Sequence, residues 1–296
     1  MKKNIFFSFL ILAITTGCTH KIAGTSNVAK EPEIKSGLNL PKGQKYTVEN
    51  KVSTKSMSQM SGQSMESTAD ITSVYAIEVK DVTDNNYNMT NFISSIKMNM
   101  TAMGQNINFD SDKKEDMDGD IGRNLKNYIN QPKAVVMDKS GNVIVSKQTD
   151  TSKASSMDQI EMMLKQMGDP EQQGYGAKMA FLPISKNFKQ GTSWQDSTSG
   201  NGVTTATNYT IKEIKGTTAT ISISGTEKRD TKMEMQGMEI NTKTTGKFTG
   251  EEDVDINTGV ILQNNTSSDT SGTISVMGQE IPTTVKATSL TTVKPM

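Results

Sequence analysis

Residues 75–80, Tyr75-Ala76-Ile77-Glu78-Val79-Lys80, alternate in the manner typical of a β-strand. Tyr75, Ile77 and Val79 alternate with smaller or charged residues, so an extended chain would place apolar side chains on one face and polar groups on the other. The same alternation recurs at Ile96, Met98 and Met100, at Ile221 and Ile223, and at Met233 and Met235. The sequence therefore predicts a protein built mainly of half-buried β-strands.

Turn sequences separate these strands at short intervals. They are Ser61-Gly62-Gln63, Asp84-Asn85-Asn86, Lys139-Ser140-Gly141-Asn142, Gly200-Asn201-Gly202 and Asn257-Thr258-Gly259. Glycine and asparagine adopt the backbone conformations that tight hairpin turns require. Antiparallel hairpins are the simplest way to join such strands.

An internal repeat relates residues 38–116 to residues 184–256. The first copy opens with the run 40–46 (Leu-Pro-Lys-Gly-Gln-Lys-Tyr), and the second opens with 188–194 (Phe-Lys-Gln-Gly-Thr-Ser-Trp). The alignment places Tyr75 over Tyr209, the run 97–100 over 232–235, and Trp194 at the position of Tyr46. A third, related turn, Val276-Met277-Gly278-Gln279, precedes the last strand. We expect two related curved antiparallel sheets or half-barrels.

The region between the copies changes character. Ile121 to Ile129 fits a short helix capped by Asp118 or Asp120, and Ala134–Met137 and Asn142–Ser146 fit a hairpin. A second helix is expected from Ser155 or Ser156 to Met167, because its apolar residues recur at helical spacing before Gly168 and Pro170. The sequence thus predicts an all-β-dominated fold whose two sheets are bridged by two short helices.

The N-terminus joins a positively charged segment to a short apolar run that ends at a cysteine. Met1-Lys2-Lys3 is positively charged, and the apolar run from Ile5 to Ile14 is too short to span a bilayer, as in a signal peptide. It ends in Thr15-Thr16-Gly17-Cys18, which resembles a lipobox whose cysteine is lipidated, although Thr15 replaces the usual aliphatic residue. The expected domains are a signal peptide at 1–17, the lipidated Cys18 and a flexible tether at 18–37, a first β repeat at 38–116, a helix-hairpin-helix bridge at 117–183, and a second β repeat with an extra C-terminal hairpin at 184–296.

Composition excludes several functions. The 32 basic and 32 acidic residues cancel, and no segment after the signal combines Lys or Arg with aromatic residues, so the sequence gives no support to nucleic-acid binding. The only cysteine, Cys18, and the only histidine, His20, lie in the anchor and tether. The folded region therefore lacks the residues for Ser-His-Asp or Cys-His catalysis and for His or Cys zinc sites.

Acidic segments give only weak signals for other sites. The run Asp110 to Asp120 approaches the phase of a calcium-binding EF-hand loop, but Lys114 and Leu125 would occupy its first and last ligand positions. It is better explained as a solvated loop with helix-capping aspartates, and the run 251–253 as a solvated turn. A glycosidase would need an aromatic sugar cleft, which a chain with one tryptophan is poorly equipped to form.

Short phrases in both copies resemble a known family. They are Gly43-Gln44-Lys45-Tyr46, Met-rich strands with Met-Gly-Gln turns, Ser111-Asp112, and Gly191-Thr192-Ser193-Trp194. Together they are similar to an uncharacterised lipoprotein family of Bacteroidetes-type bacteria, a domain of unknown function, over nearly all of residues 38–294. The resemblance implies a β-rich lipoprotein and supplies no catalytic residue. In architecture alone, the expected fold is similar to the half-barrel sheets of periplasmic lipoprotein carriers.

Methionine is the chemically suggestive excess, with 20 residues. Thioethers pack adaptably, so they could fill the core or line a pocket for an apolar ligand. The candidate lining residues are Met98, Met100, Met163, Met167, Met233 and Met235. Paired Met-x-Met thioethers could instead bind Cu(I), although no His or Cys would assist them.

We therefore expect a non-enzymatic envelope lipoprotein without a resident cofactor or metal. Lipid on Cys18 would hold it at the outer membrane, facing the periplasm, where it would bind a hydrophobic ligand or an envelope component. A structural or protein-interaction lipoprotein with a filled core is the alternative, and Cu(I) binding is the third hypothesis.

Overall fold

The computed structural model describes residues 37–60, 62–102, 104–144, 174–185, 187–200, 202–235 and 238–296. Within these ranges the chain forms a twelve-stranded sheet with short helices, which confirms the all-β prediction. The predicted signal peptide, Cys18, the tether up to residue 36 and the predicted helix at 155–167 lie outside the described residues.

The strands are long, and the described helices are short. The strands are β1 Lys45–Met60, β2 Gln63–Val82, β3 Asn86–Ala102, β4 Gln105–Asp110, β5 Lys133–Asp138, β6 Val143–Ile144, β7 Ser193–Gly200, β8 Val203–Lys215, β9 Thr218–Met235, β10 Met238–Asp255, β11 Val260–Val276 and β12 Gln279–Pro295. The helices are α1 Lys114–Asp118, α2 Asp120–Leu125 and α3 Tyr175–Ala180.

The two related halves form one sheet where two were expected. Its order is β6-β5-β3-β2-β1-β12-β11-β10-β9-β8-β7, and β4 pairs with β3 beside this path. The halves meet where β1 pairs with β12, from Tyr46 opposite Pro295 to Ser58 opposite Thr283. The C-terminal hairpin β11–β12 causes this difference, because its last strand forms ladder hydrogen bonds with the free edge of β1.

The repeat is visible in equivalent backbone hydrogen bonds. The N–H of Gly43 donates to the carbonyl of Val79 over 2.7 Å, and the N–H of Gly191 donates to that of Ile211 over 2.8 Å. Both glycines have a φ near +80°, which a residue without Cβ adopts readily. The sheet register is irregular just after both carbonyl residues, between Val79 and Asp81 and between Ile211 and Glu213.

These equivalences correct the sequence alignment of the two copies. Tyr46 pairs with Ile77, and Trp194 pairs with Tyr209, so Tyr46 and Trp194 occupy equivalent positions. Tyr209 therefore corresponds to Ile77 and not to Tyr75, which is a shift of two residues. A shift of two keeps every side chain on its own face, so alternation in the sequence cannot detect it.

The antiparallel order places the hairpin turns at two opposite ends of the sheet. The β1–β2, β3–β4, β7–β8, β9–β10 and β11–β12 turns lie at one end, here called the tip end. The β2–β3, β8–β9 and β10–β11 turns lie at the other end, here called the base end. The start of β1 and the end of β12 both lie at the base end, where the N–H of Met296 donates to the carbonyl of Lys45.

One face of the sheet, here called the inner face, carries the buried side chains. They form two apolar clusters, one centred on β1–β3 and the other on β8–β10. Residues 174–188 supply side chains to both clusters. Phe181 packs edge-on against Tyr46 at 5.3 Å, and Leu182 joins the second cluster. This segment therefore closes the base half of the inner face.

The described part of the predicted bridge contains helices α2 and α3 and a hairpin of β5 and β6. Strands β5 and β6 pair as expected, with Val136 opposite Ile144. The helix predicted at 121–129 begins earlier, at Asp120, and ends at Leu125. Gly119 precedes it without a side-chain capping hydrogen bond, so the proposed aspartate caps are wrong. Among the described residues, no helix is long and apolar enough to cross a bilayer.

Candidate functional site

Six buried apolar side chains of the inner face lie outside both core clusters. They belong to β1, β10, β11 and β12 and are Val52, Ile240, Ile274, Ile281, Val285 and Ala287. Helix α3 lies against β1, β2, β3 and β11, where it packs on base-half residues such as Tyr75. These six side chains are therefore buried without belonging to either described cluster.

A buried ion pair lies on β9, on the same face of the sheet. Nη2 of Arg229 donates to Oε1 of Glu227 over 3.1 Å. The side chain of Glu227 is 5% exposed and that of Arg229 is 17% exposed, so little solvent screens the pair. Two charges removed from water in this way need further hydrogen bonds to offset their lost hydration. The Nε–H of Arg229 is buried and has no acceptor among the described residues.

Three threonine hydroxyls surround this pair. Thr244 on β10 pairs directly with Arg229, and Thr242 lies two residues away on the same strand. Thr270 on β11 pairs with Gly246 on β10, and Gly246 pairs on its other side with Glu227 on β9. The Thr270 Oγ1 atom lies 2.3 Å from the point where a Cβ on Gly246 would stand, so it occupies the space that this glycine leaves open.

The three hydroxyl groups share an unusual property with Arg229. Thr242, Thr244 and Thr270 are 1%, 5% and 6% exposed, and within the described chain none of their Oγ1 atoms has a hydrogen-bond partner. Buried polar groups in folded proteins are almost always paired with protein, water or ligand. We call Glu227, Arg229, Thr242, Thr244 and Thr270 the polar cluster. It is the strongest candidate for a binding site.

A second buried carboxylate lies nearer the base end of the inner face. Oε2 of Glu252 accepts a hydrogen bond from Nδ2 of Asn264 over 2.6 Å, while its Oε1 has no partner among the described residues. Burial raises the pKa of Glu252 to about 7, the Asn264 hydrogen bond lowers it, and the charge of Asp253 raises it. Glu252 therefore changes charge near neutral pH.

Of the methionines predicted to line a ligand pocket, the side chains of Met98 and Met100 are among the described residues. Met98 is buried in the first core cluster, and Met100, on the same face of β3, packs partly buried against that cluster. The described Met98 therefore contributes to core packing. Met163 and Met167 lie outside the described residues, as do the side chains of Met233 and Met235, whose backbone belongs to β9.

A groove of about 590 Å³ crosses the outer face of β8–β11. Its polar side chains largely pair with one another: Lys212 binds Glu251, and Oγ1 of Thr220 beside the groove donates to Asp253 over 2.6 Å. Among the described residues, no group of three His, Cys, Asp or Glu side chains could hold a metal ion. The groove therefore has the character of a solvated surface.

The sequence patterns did not identify the polar cluster. Thr242, Thr244 and Thr270 lie in strands rich in threonine on both faces, so their composition carries no signal. Arg229 occupies an inner-face position, and a charged residue in register with apolar ones is the signal that could have marked the site.

The sequence of residues 84–261 matches the model of a family of unknown function, DUF6263. The chain belongs to this family. The matched region is more than half of the chain and runs from the start of β3 into β11, so it includes Glu227, Arg229, Thr242, Thr244 and Glu252. The description of DUF6263 states no activity, and no curated protein matches the chain.

Solved structures give only distant similarities. A structure titled for lipid-protein interactions in lipovitellin is 11% identical, covers 86% of this chain and has a TM-score of 0.45; this chain spans 25% of that one. An outer membrane channel from Pseudomonas putida F1 is 8% identical, with 90% of this chain and 100% of that chain covered and a TM-score of 0.26. OccK7 from Pseudomonas aeruginosa is 5% identical, with coverages of 86% and 100% and a TM-score of 0.26. At these TM-scores the similarities carry no argument.

Proposed function

We propose that this protein is a non-enzymatic binding module for an amphiphilic ligand, which occupies the tip half of the inner face. One observation carries the proposal. Buried apolar side chains outside the core clusters lie beside buried hydroxyl groups and an arginine N–H that have no partner in the described chain. A ligand with an apolar body and a polar group would satisfy both kinds of surface.

Some of the side chains around the polar cluster are apolar, which suits the apolar part of an amphiphile. Thr242 pairs with Ile274, and Ile274 pairs with Ile281, so apolar side chains flank the hydroxyls toward the tip end. Val285 pairs with Thr270 on the neighbouring strand. A purely apolar ligand would leave the cluster without hydrogen bonds, at a cost of about 1–3 kcal/mol for each unsatisfied group.

Native mass spectrometry tests the proposal. The chain from Lys21 onward, exported with a cleavable signal and kept free of detergent, should carry an added mass that organic extraction removes. A mass equal to that of the bare chain, unchanged when phospholipids and monoglycerides are offered, would contradict ligand binding. It would favour the alternative of a structural or protein-interaction protein.

One feature supports that alternative. Strand β7 ends the sheet and pairs, within the described residues, only with β8. Its eight residues, Ser193–Gly200, contain no lysine or proline, which commonly protect sheet edges from pairing with other chains. A second chain could add a strand there.

We also propose that lipid on Cys18 anchors this binding module in the cell envelope. The signal-like N-terminus followed by Gly17-Cys18 supports the anchor. Labelled palmitate should be incorporated into the full chain, which should sediment with membranes, whereas the Cys18→Ser variant should lose the label. Equal labelling of both chains would contradict the anchor and leave the ligand proposal standing.

A further inference from the structure

We infer that the polar cluster binds an uncharged hydrogen-bond acceptor, such as the ester or amide carbonyl of an amphiphile. This inference rests on the proposed function and specifies which amphiphiles the protein would select. It follows from the donors that the cluster offers and from the charges already present on the inner face.

The donor set fixes the polarity of the ligand group. The Nε–H of Arg229 can donate but cannot accept a hydrogen bond, so its missing partner must be an acceptor. A threonine hydroxyl can donate as well, and Thr244 lies directly opposite Arg229 on β10. A carbonyl oxygen has two lone pairs and could therefore accept from Arg229 and Thr244 together.

The charges make a neutral acceptor preferable to an anion. Glu227 already compensates the guanidinium of Arg229 over 3.1 Å. Asp196 on β7 is a further, partly buried carboxylate on the inner face. Among the described inner-face residues of the tip half, the positive charge is that of Arg229. An anionic ligand would add an uncompensated negative charge beside Glu227 in a poorly solvated region, which is costly. A carbonyl group adds no charge.

The sheet register also relates the polar cluster to the neighbouring apolar side chains. Gly246 and Gly272 stand between the polar side chains on β10 and β11, with Thr270 next to Gly246 and Thr244 next to Gly272. The apolar residues Ile240, Ile274 and Ile281 continue toward the tip end. A carbonyl seated at Arg229 would thus direct an acyl chain along these isoleucines.

Two ligands with the same acyl chain test the inference. The chain from residue 18 onward, with Cys18→Ser, is titrated at pH 8 with 1-monolauroylglycerol and with laurate, below their micelle concentrations, by calorimetry. We expect the neutral monoglyceride to bind at least tenfold more tightly. Thr244→Val and Thr270→Val should each weaken its binding about tenfold, which corresponds to one lost hydrogen bond. Thr245→Val, on the outer face of the same strand, is the matched control and should leave binding unchanged.

A charge variant separates this selectivity from simple packing. Glu227→Gln keeps a hydrogen-bond acceptor for Arg229 while removing the negative charge, so laurate should then bind at least tenfold more tightly than it binds the unsubstituted protein. Substitution of Arg229 is avoided, because it would leave Glu227 buried without a counter-charge.

Different binding results would contradict the carbonyl selectivity and the amphiphile binding itself. If laurate binds the unsubstituted protein as tightly as the monoglyceride, or if both valine variants bind the monoglyceride normally, the inference is wrong while amphiphile binding stands. If neither ligand binds and native mass spectrometry finds no added mass, both are wrong.

Discussion

At the scale of single residues, the inner face carries charged groups where a core would be apolar. Glu252 shows the consequence for stability. Its folded-state pKa of about 7 lies above the unperturbed value of 4.5, so the folded protein holds this proton more tightly than the unfolded chain. Between these pH values, stability contributed by Glu252 is lost as the pH rises, and the loss is complete above pH 7. It reaches at most about 3 kcal/mol.

Replacement of this carboxyl should therefore stabilise the protein in a pH-dependent way. Glu252→Gln should raise the free energy of unfolding by about 1–3 kcal/mol at pH 8 and change it little at pH 4.5. The amide oxygen can still accept the hydrogen bond from Asn264. Urea unfolding at both pH values, followed by Trp194 fluorescence, measures the effect.

The neighbouring Glu251 provides the control, because its side chain is exposed on the outer face. Glu251→Gln should show no comparable gain at pH 8. A loss of stability in Glu252→Gln that is equal at both pH values would mean that Glu252 is charged and favourably bound in the folded protein.

At the scale of elements, α3 depends on close contact with the sheet. A Cβ on Gly176 would lie 2.6 Å from Oδ1 of Asn91 and 3.0 Å from Cβ of Tyr75. Only a residue without a side chain lets the helix approach β2 and β3 this closely. The six-residue helix is too short to be stable alone, so this contact must hold it.

Gly176→Val should therefore displace α3 and lower the free energy of unfolding by about 1–3 kcal/mol, the usual effect of overpacking. Hydrogen exchange should accelerate in the α3 amides more than in β10. Lys178→Val has the same β-branched side chain on the same helix at a partly exposed position, and it should have a smaller effect. Equal effects of the two variants would attribute the loss to helix propensity alone.

At the scale of the whole molecule, the seam between β1 and β12 should make the two halves unfold as one cooperative unit. Ile77 belongs to the first cluster, whereas Trp194 stacks on Tyr209 at 5.0 Å beside the second. Continuous ladder pairing joins the strands between them. Trp194 fluorescence should therefore report damage in the opposite half.

Ile77→Ala should lower the unfolding midpoint reported by Trp194, because the lost packing costs about 2–5 kcal/mol. Circular dichroism should give the same midpoint as fluorescence. Ile144→Ala, at a side chain that is 48% exposed, should shift neither signal. If the Ile77→Ala transition at Trp194 keeps the midpoint of the unsubstituted protein, the halves unfold independently.

The strands could be predicted from the amino-acid pattern, because alternation of apolar and polar residues specifies which face each side chain occupies. The hairpin of β5 and β6 could be predicted for the same reason, and the equivalence of Tyr46 and Trp194 could be predicted from the internal repeat. Helix α3 could not be predicted, because it begins after Gly174 and contains Gly176, and glycine has a low helix propensity. Its stability comes from packing.

The junction of the two halves and the location of the candidate site depend on long-range strand pairing. The pairing of β1 with β12 connects residues more than 200 positions apart, and backbone hydrogen bonds of this kind leave no pattern in the side chains. The polar cluster likewise combines Glu227 and Arg229 on β9 with Thr242 and Thr244 on β10 and Thr270 on β11. Their hydroxyls resemble those of exposed threonines in sequence, and only register and burial distinguish them.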